Sequence, residues 1–253
     1  MKQDVIEKIK SIIISAGVIA DYHQNDNLDI ELKSDDSPVT KVDKMVSAHI
    51  FEGLSTLTPK ILVISEEGSD LDDYQNGLRD KTFWLVDPID GTKSYIRGES
   101  TYTVNIGLIE NGEPSFGFIY RPSLKLLHYT DENKILRVEK DGVDITSEIT
   151  RDNKETRVAA VSSHSMSAEV KKFIEDDKVS EVIRIPSSIK LCLVADGSVD
   201  VYPRFGQTME WDIAAGHAII KATGGNIFDI EGNVMKYGKP KLLNLGFIAR
   251  GKK

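Results

Sequence analysis

The sequence predicts a layered α+β fold, in which helices cover the faces of β-sheets. Apolar residues recur at helical spacing over the first twenty positions, whereas from Tyr102 to Tyr120 they alternate as they do in β-strands. Beyond residue 157, short apolar runs alternate with helical segments, which is typical of sheets packed against helices. With 253 residues and 40% hydrophobic content, the chain can bury a sizeable core in one large domain or two smaller ones.

Two helices are predicted near the N-terminus. The first has core-facing side chains at Val5, Ile6, Ile9, Ile12, Ile13 and Ala16. A polar stretch from Asp21 to Pro38 follows, after which Thr40 and Asp43 resemble a capping box that begins a second helix. Asp43 therefore lies on the first turn of that helix, where it either completes the cap alone or also serves a site.

Two short apolar runs end in acidic residues. Residues 61–64 lead into Ser65-Glu66-Glu67-Gly68, and residues 83–86 lead into Asp87-Pro88-Ile89-Asp90-Gly91-Thr92. Because Pro88 lacks an N–H and has a fixed φ, the strand ladder is predicted to stop there, which allows Asp87 and Asp90 to converge. Converging carboxylates repel one another unless a cation lies between them, and Mg²⁺ prefers oxygen ligands. The pattern indicates a metal site, with an ordinary strand-to-turn junction as the alternative.

A third acidic position lies at a predicted helix start. Residues 211–220 read as a helix with Asp212 in the first turn, where the positive end of the helix dipole favours a carboxylate. Taken alone, an aspartate at such a position is more often a simple helix cap. The joint occurrence of three acidic element ends favours a shared metal site.

The middle of the chain predicts a β-meander and a domain boundary. Strand-type alternation turns at Asn111-Gly112 and resumes beyond it, which is typical of a hairpin. A charged segment from Asp131 to Arg157 then interrupts the apolar pattern. We place the boundary at its end, with an α+β domain over 1–156 that carries most metal ligands and an α/β domain over 157–253 that carries Asp212.

Charge and composition exclude several classes of protein. The net charge of −8 argues against binding to a nucleic-acid polymer, and clustered carboxylates would repel a phosphorylated substrate unless cations reverse the local charge. Charges interrupt the apolar residues of the N-terminus, and no apolar run approaches ~20 residues, so neither export nor a transmembrane segment is expected. The expected location is the cytoplasm, with peripheral attachment to the cytoplasmic face of the membrane left open. Cys192, the single cysteine, is expected to be a buried, inert thiol.

Other phosphatase and hydrolase chemistries lack their motifs. An aspartyl nucleophile needs D-x-D-x-T, whereas Asp87 and Asp90 are three positions apart. No arginine follows Cys192 as a cysteine phosphatase requires, and neither G-x-S-x-G nor H-E-x-x-H occurs. The histidines are scattered, and His217 is expected to be a packed or surface residue of its helix.

Three motifs identify a family. The Glu-Glu turn at 66–67, D-P-I-D-G-T at 87–92 and W-D-I-A-A-G at 211–216 resemble, in this order, the magnesium-dependent, lithium-sensitive phosphatase superfamily of inositol monophosphatases and fructose-1,6-bisphosphatases. Residues 37–43, 91–93, 187–192 and 202–206 resemble its CysQ-type 3'(2'),5'-bisphosphate nucleotidases more than its inositol monophosphatases. The chain departs from that subfamily at Ser162, where S-R-S-H usually carries an arginine.

The resemblance implies an α/β/α/β/α sandwich with the site between its halves. It implies that Glu66, Asp87 and the Ile89 carbonyl hold one Mg²⁺ and that Asp87, Asp90 and Asp212 hold a second, with a third ion left open. Thr92 and Asp43 would orient and deprotonate a water for direct hydrolysis, without a covalent intermediate. The implied substrate-binding residues are Glu66, Ile89, Asp90, Gly91, Thr92 and Asp212, joined by the further candidates His164, Ser187, Ser188 and Lys190.

The implied reaction is hydrolysis of the 3'-phosphate of adenosine 3',5'-bisphosphate to AMP and phosphate. 3'-Phosphoadenylyl sulfate is a second implied substrate, so the expected partner is a small phosphorylated nucleotide. An inositol monophosphatase or other sugar phosphatase on the same scaffold remains an alternative. A metal- and nucleotide-sensing module without turnover is a third, although it would be expected to lose Asp43, Thr92 or a metal ligand, and all are present. The sequence does not indicate an oligomeric state.

Overall fold

The computed structural model describes residues 1–33, 36–149, 156–163 and 166–252. Within these ranges the α-helices are α1 (Gln3–His23), α2 (Lys41–Leu57), α3 (Thr92–Ile96), α4 (Ala168–Asp176), α5 (Ile189–Asp196) and α6 (Trp211–Ala222). The strands of the N-terminal half are β1 (Glu31–Leu32), β2 (Pro38–Val39), β3 (Leu62–Ser65), β4 (Thr82–Asp90), β5 (Thr103–Glu110), β6 (Glu113–Arg121), β7 (Leu126–Thr130), β8 (Leu136–Lys140) and β9 (Val143–Asp144). Those of the C-terminal half are β10 (Val158–Val161), β11 (Glu181–Arg184), β12 (Val201–Arg204), β13 (Thr208–Met209), β14 (Asn226–Phe228), β15 (Leu243–Asn244) and β16 (Phe247–Arg250).

Two large sheets and three layers of helices form the molecule. A seven-stranded sheet has the strand order β3-β4-β5-β6-β7-β8-β9, and a five-stranded sheet has the order β11-β10-β12-β16-β14. Helices α1 and α2 cover one face of the larger sheet, α5 and α6 lie between the two sheets, and α4 packs against β12. The predicted α/β/α/β/α sandwich is confirmed.

One hydrophobic core spans both halves of the chain. It joins Ile64 and Phe83 of the larger sheet to Val158 of the smaller sheet and Ile219 of α6. The predicted boundary after residue 156 follows residues 150–155, which lie outside the described part of the chain, so the division into two domains stays a prediction.

Two glycines allow α6 to lie directly on the larger sheet. A Cβ atom at Gly117 would be 2.1 Å from the carbonyl oxygen of Ala215, and one at Gly107 would be 2.8 Å from the Cβ of Ala214. On the opposite side of the helix, a Cβ at Gly216 would be 2.6 Å from the Cβ of Leu191 in α5. The small residues of the A-A-G segment therefore fix how closely α6 approaches the sheet and α5.

The N-terminal predictions are largely confirmed. Helix α1 buries Ile6, Ile9, Ile13 and Ala16. Thr40 and Asp43 form the predicted capping box of α2.

The predicted hairpin joins β5 to β6 through Asn111 and Gly112, whose φ angles are 53° and 74°. No described helix is long and apolar enough to cross a membrane.

Candidate active site

The ends of β3 and β4 bring two acidic segments together. These strands are parallel neighbours, with Ser65 opposite Val86, so their carboxyl ends lie at the same edge of the sheet. The backbone N–H of Glu66 donates to the carbonyl oxygen of Val86 at 3.0 Å, which places Glu66 beside Asp87.

A β-bulge, rather than the end of the ladder, brings Asp87 and Asp90 to the same side. The prediction that pairing stops at Pro88 is wrong, because β4 pairs with β5 as far as Asp90. Asp87 lies opposite Asn105 and Asp90 opposite Thr103, so two residues of β4 face one residue of β5 between these pairs. In a regular strand, residues three apart point to opposite faces, and the extra residue of the bulge corrects this.

Asp212 enters the site from the other half of the chain. It lies in the first turn of α6, as predicted, and its Oδ2 accepts a hydrogen bond from the Met209 backbone N–H at 2.8 Å. The close packing of α6 on the larger sheet holds this helix start next to the carboxyl end of β4.

Asp43 and Thr92 form a pair beside these carboxylates. The Thr92 hydroxyl lies 3.4 Å from Oδ1 of Asp43 and 3.1 Å from the Ile89 carbonyl oxygen. The other Asp43 oxygen accepts a hydrogen bond from the Thr40 backbone N–H at 2.9 Å, so the capping box fixes the carboxylate. Asp43 thus completes the cap and also contacts Thr92, which means that both roles considered from the sequence are structurally available.

The four carboxyl groups Asp43, Asp87, Asp90 and Asp212 are held where ionisation is costly. Burial raises the pKa of Asp87 well above its ordinary value, and the neighbouring carboxylates, Glu66 foremost, raise it further. Burial and the same neighbour raise the pKa of Asp212. Burial also raises the pKa of Asp43 and Asp90, although hydrogen bonds from Thr40 and Ser188 oppose the effect. Such a cluster favours a cation.

Asp90 is hydrogen-bonded across the two halves of the chain. Its carboxylate accepts from the backbone N–H of Ser188, which precedes α5. The Ser188 hydroxyl lies 2.7 Å from that of Thr103 and 2.8 Å from Oδ1 of Asn105, both on β5. Ser188 is therefore a positioning residue for Asp90.

A cleft of about 370 Å³ contains most of the predicted site. The sequence-predicted residues that line it are Glu66, Asp87, Ile89, Asp90, Gly91, Thr92, Ser187, Ser188, Lys190 and Asp212. Asp43 reaches it through Thr92. His164 lies outside the described residues.

Lys190 is more buried than a surface contact would be. Its side chain is 4% exposed and donates to the carbonyl oxygens of Ile185 at 3.1 Å and Ser187 at 2.6 Å. Burial lowers its pKa to about 8, although Asp90 opposes this effect. Lys190 therefore holds the loop before α5, and its ammonium group also lies 4.9 Å from the centre of the Tyr202 ring.

Three cations near the site were not predicted. Lys93 and Arg204 line the cleft, and Lys33 donates to Glu66 at 2.7 Å and to Glu67. Arg204 lies within residues 202–206, one of the segments that carried the family resemblance, so the sequence could have indicated it as a site residue. The contact between Lys33 and Glu66 spans 33 residues and has no sequence signature.

The oxygen atoms at the site are of the kind that Mg²⁺ binds, although they are not arranged around an ion. In the part of the chain that the structure describes, no three His, Cys, Asp or Glu side chains are grouped as in a metal centre. One oxygen of Glu66 accepts a hydrogen bond from Lys33, and one oxygen of Asp212 accepts a hydrogen bond from the Met209 backbone N–H. However, Oδ1 of Asp87 is buried without a hydrogen-bond partner among the described residues, and the surrounding donors are all oxygens. A hard divalent cation satisfies both features.

Comparisons with known proteins identify relatives of this chain. The model of the inositol monophosphatase family matches residues 1–252. The 3'(2'),5'-bisphosphate nucleotidase CysQ of Salmonella typhimurium is 38% identical over 246 residues, which cover 96% of this chain and 98% of that protein. The crystal structure of CysQ from Bacteroides thetaiotaomicron, described as a bacterial member of the inositol monophosphatase family, superposes with a TM-score of 0.83 and 32% identity over 99% of this chain and 98% of that one. An inositol monophosphatase of Thermotoga maritima shares the fold, with a TM-score of 0.74 and 24% identity over 96% of this chain and 89% of that one.

Proposed function

The chain belongs to the inositol monophosphatase family, and from this premise we propose that it is a Mg²⁺-dependent 3'(2'),5'-bisphosphate nucleotidase. It removes the 3'-phosphate of adenosine 3',5'-bisphosphate and releases AMP and phosphate. 3'-Phosphoadenylyl sulfate is the second proposed substrate, which assigns the enzyme to sulfur metabolism. The observation that carries the proposal is 38% identity to a bisphosphate nucleotidase along nearly the whole of both chains.

The proposed metal ligands are the oxygens gathered at the edge of the larger sheet. Glu66, Asp87 and the Ile89 carbonyl would hold one Mg²⁺, and Asp87, Asp90 and Asp212 would hold a second. The unpartnered Oδ1 of buried Asp87 supports a shared position for this residue. A bound Mg²⁺ supplies Lewis acidity, which polarises phosphoryl oxygens and lowers the pKa of water.

Asp43 and Thr92 are the proposed proton-handling pair. The capping box holds Asp43, and the Thr92 hydroxyl lies within 3.4 Å of the Asp43 oxygen that faces it. A water that donates to this pair would be oriented and would lose its proton to the Asp43 carboxylate. Attack on phosphorus then forms one P–O bond while the bond to the ribose 3'-oxygen breaks. The 3'-oxygen leaves with the electron pair and takes a proton from water, so no covalent enzyme intermediate is needed.

The start of α3 is the proposed anion-binding turn. Gly91 precedes the helix with a φ of 97°, and the first N–H groups of a helix have no intrahelical acceptor. The N–H groups of Gly91 and Thr92 would therefore donate to phosphate oxygens beside the carboxylate cluster.

The rest of the nucleotide is proposed to cross the cleft toward α5 and β12. Ser187, Ser188 and Lys190 line this side, together with Arg204. Arg204 is the single arginine that lines the cleft among the described residues, and guanidinium groups bind phosphate through two parallel hydrogen bonds. We assign the second phosphate of the substrate to Arg204.

The test identifies the phosphate that leaves. Purified protein is incubated with adenosine 3',5'-bisphosphate, with and without Mg²⁺, and the nucleotide products are separated chromatographically. The proposal requires adenosine 5'-phosphate and an equal amount of orthophosphate, formed only with Mg²⁺. Adenosine 3'-phosphate as the product, or turnover of inositol 1-phosphate alone, would reject it in favour of another phosphatase of this scaffold.

A further inference from the structure

A second cavity lies between the larger sheet and α5, on the side of the sheet that faces the helix. Its volume is about 180 Å³, and its walls are largely apolar. For comparison, an engineered apolar cavity of roughly 150 Å³ in another protein holds benzene. The cavity is therefore large enough for a small organic molecule.

One face of the sheet forms the floor. Ile119 on β6, His128 on β7 and Val138 on β8 lie opposite one another in register, so they share a row across three strands. Arg121 and Leu126 form the next row on the same face, because each lies two residues along its strand. All five residues line the cavity.

One face of α5 forms the roof. Ile189, Cys192, Leu193 and Asp196 line the cavity, and they are spaced as i, i+3, i+4 and i+7. Ile189 directly follows Ser188, which holds Asp90. The cavity and the active-site cleft therefore lie on either side of the beginning of α5.

His128 is the buried imidazole of this cavity floor. It is 5% exposed and makes no hydrogen bond to any other described residue. Burial lowers its pKa to about 4, so the ring is neutral at physiological pH and has one donor and one acceptor nitrogen. Because the imidazole lines the cavity and is not hydrogen-bonded to another described residue, its nitrogens are open to a ligand.

Arg121 is the positively charged residue in the lining of the cavity. Its Nε donates a long hydrogen bond of 3.4 Å to the Ser100 carbonyl oxygen, and no carboxylate lies within ion-pair distance among the residues described. Burial lowers the pKa of Arg121. Asp196, by contrast, already accepts a hydrogen bond from the Ser198 backbone N–H at 2.8 Å. Arg121 is therefore the group in this lining that pairs with an anionic ligand.

We propose that this cavity binds a small carboxylic acid with an apolar body, whose carboxylate pairs with Arg121 and whose body lies between β6–β8 and α5. His128 takes a polar group at the far end of the ligand. Ile119 and Arg121 are about 7 Å apart along their strand, which is close to the length of a para-substituted ring.

The test measures binding, not catalysis. Phenylacetate, phenylacetamide and phenethylamine share a body and differ in charge, and each is titrated by calorimetry into the full-length protein. The imidazole resonances of His128 report the position of the ligand in NMR spectra. The proposal expects phenylacetate to shift these resonances, phenylacetamide to bind at least about tenfold more weakly, and the amine not to bind. 4-Hydroxyphenylacetate should bind more tightly than phenylacetate, and His128→Leu should remove that advantage.

Matched variants separate the cavity from the rest of the surface. Arg121→Gln should abolish the preference for the acid over the amide, whereas Arg184→Gln, at an exposed arginine of the other sheet, should retain it. Leu193→Trp should fill the cavity and abolish binding of both compounds, whereas Leu245→Trp, at a position 63% exposed, should not. If Leu193→Trp does not fold, the Arg121 pair and the His128 resonances still decide the question.

Two results would overturn the proposal. One is the absence of any shift at His128 when phenylacetate is present at millimolar concentration. The other is an acid preference that survives Arg121→Gln, because binding would then lie elsewhere. Neither result bears on the proposed nucleotidase activity, since His128 and Arg121 lie outside the cleft.

Discussion

Asp87 and Asp90 lie on the same face of β4 although they are three positions apart, because a bulge sets two residues of this strand against one of β5. The bulge therefore converts a strand of a regular sheet into a site where two carboxylates meet Asp212 of α6. The pKa values of all three are raised, which shows the electrostatic cost of this arrangement.

Replacing Asp212 by asparagine should lower the catalytic activity without lowering the free energy of unfolding. We expect kcat/KM to fall at least tenfold, since loss of groups that only support a metal ligand already costs ~10 to 100-fold. The free energy of unfolding should stay the same or rise, because the variant removes a buried charge that repels Asp87 and Asp90. Phosphate release and urea unfolding measure the two effects, with Asp80→Asn at an exposed carboxylate as the control. Activity above a tenth of wild type would remove Asp212 from the site.

Gly117→Ala should destabilise the fold through α6. The new Cβ would lie 2.1 Å from the Ala215 carbonyl oxygen, and the backbone of a packed helix cannot rotate away. Overpacking of this kind costs ~1 to 3 kcal/mol in the free energy of unfolding. Gly206→Ala is the matched control, because the nearest atom to its Cβ would be Nε of Arg204 at 3.8 Å. Equal urea midpoints for the two variants would show that α6 does not pack as described.

The buried His217 should make stability depend on pH. Burial lowers its pKa to about 3, while its ring lies 3.0 Å from the Tyr237 hydroxyl and 2.7 Å from Oδ1 of Asn226. Between about 6.5 and 3 the unfolded chain binds a proton that the folded protein excludes, so the free energy of unfolding falls as the pH falls, by at most ~1.4 kcal/mol per pH unit.

The site carboxylates have raised pKa values, so their contribution to the free energy of unfolding changes with pH in the opposite direction. The variant His217→Gln therefore isolates the contribution of His217. The stability difference between wild type and His217→Gln should narrow from pH 7 to pH 4.5 in urea unfolding. Tyr237→Phe removes a hydrogen-bond partner but no group that titrates in this range, so its difference from wild type should stay constant. A constant difference for His217→Gln as well would contradict a neutral buried imidazole.

Arg204→Gln should weaken binding of bisphosphates specifically. A charge-assisted hydrogen bond contributes ~1.5 to 3 kcal/mol, so we expect KM for adenosine 3',5'-bisphosphate to rise about 10 to 100-fold with little change in kcat. Inositol 1-phosphate has no second phosphate, and its KM should change little. Lys190→Met should differ from Arg204→Gln in that it lowers the free energy of unfolding. The lysine donates hydrogen bonds to the carbonyl oxygens of Ile185 and Ser187, and methionine cannot replace them. Equal effects of Arg204→Gln on both substrates would exclude the assigned contact.

The sequence predicted the location of the site better than its construction. The strand before Asp87, the capping box at Asp43 and the helix start at Asp212 all followed from local patterns, and all three are present. The reason given for the proximity of Asp87 and Asp90 was wrong, because pairing with Thr103 resumes beyond Pro88. Whether a proline ends a ladder or lies in a bulge depends on the partner strand, which a local pattern does not contain.

The contacts that the sequence did not predict are long-range. Lys33 reaches Glu66 from a polar stretch without periodicity, and Ser188 reaches Asp90 across 98 positions. Asn105 is a buried polar residue between Val104 and Ile106 of β5, and a polar side chain in this apolar setting was an available signal. Such contacts arise from packing two sheets against α5 and α6, so they appear only once the layers are assembled.

The ratio of kcat/KM for adenosine 3',5'-bisphosphate to kcat/KM for inositol 1-phosphate, measured with saturating Mg²⁺, tests the proposed function most directly. The account predicts a ratio well above one for wild type, and a ratio that falls toward one in Arg204→Gln. A wild-type preference for inositol 1-phosphate would contradict the nucleotidase assignment, while leaving the fold and the carboxylate cluster unchanged.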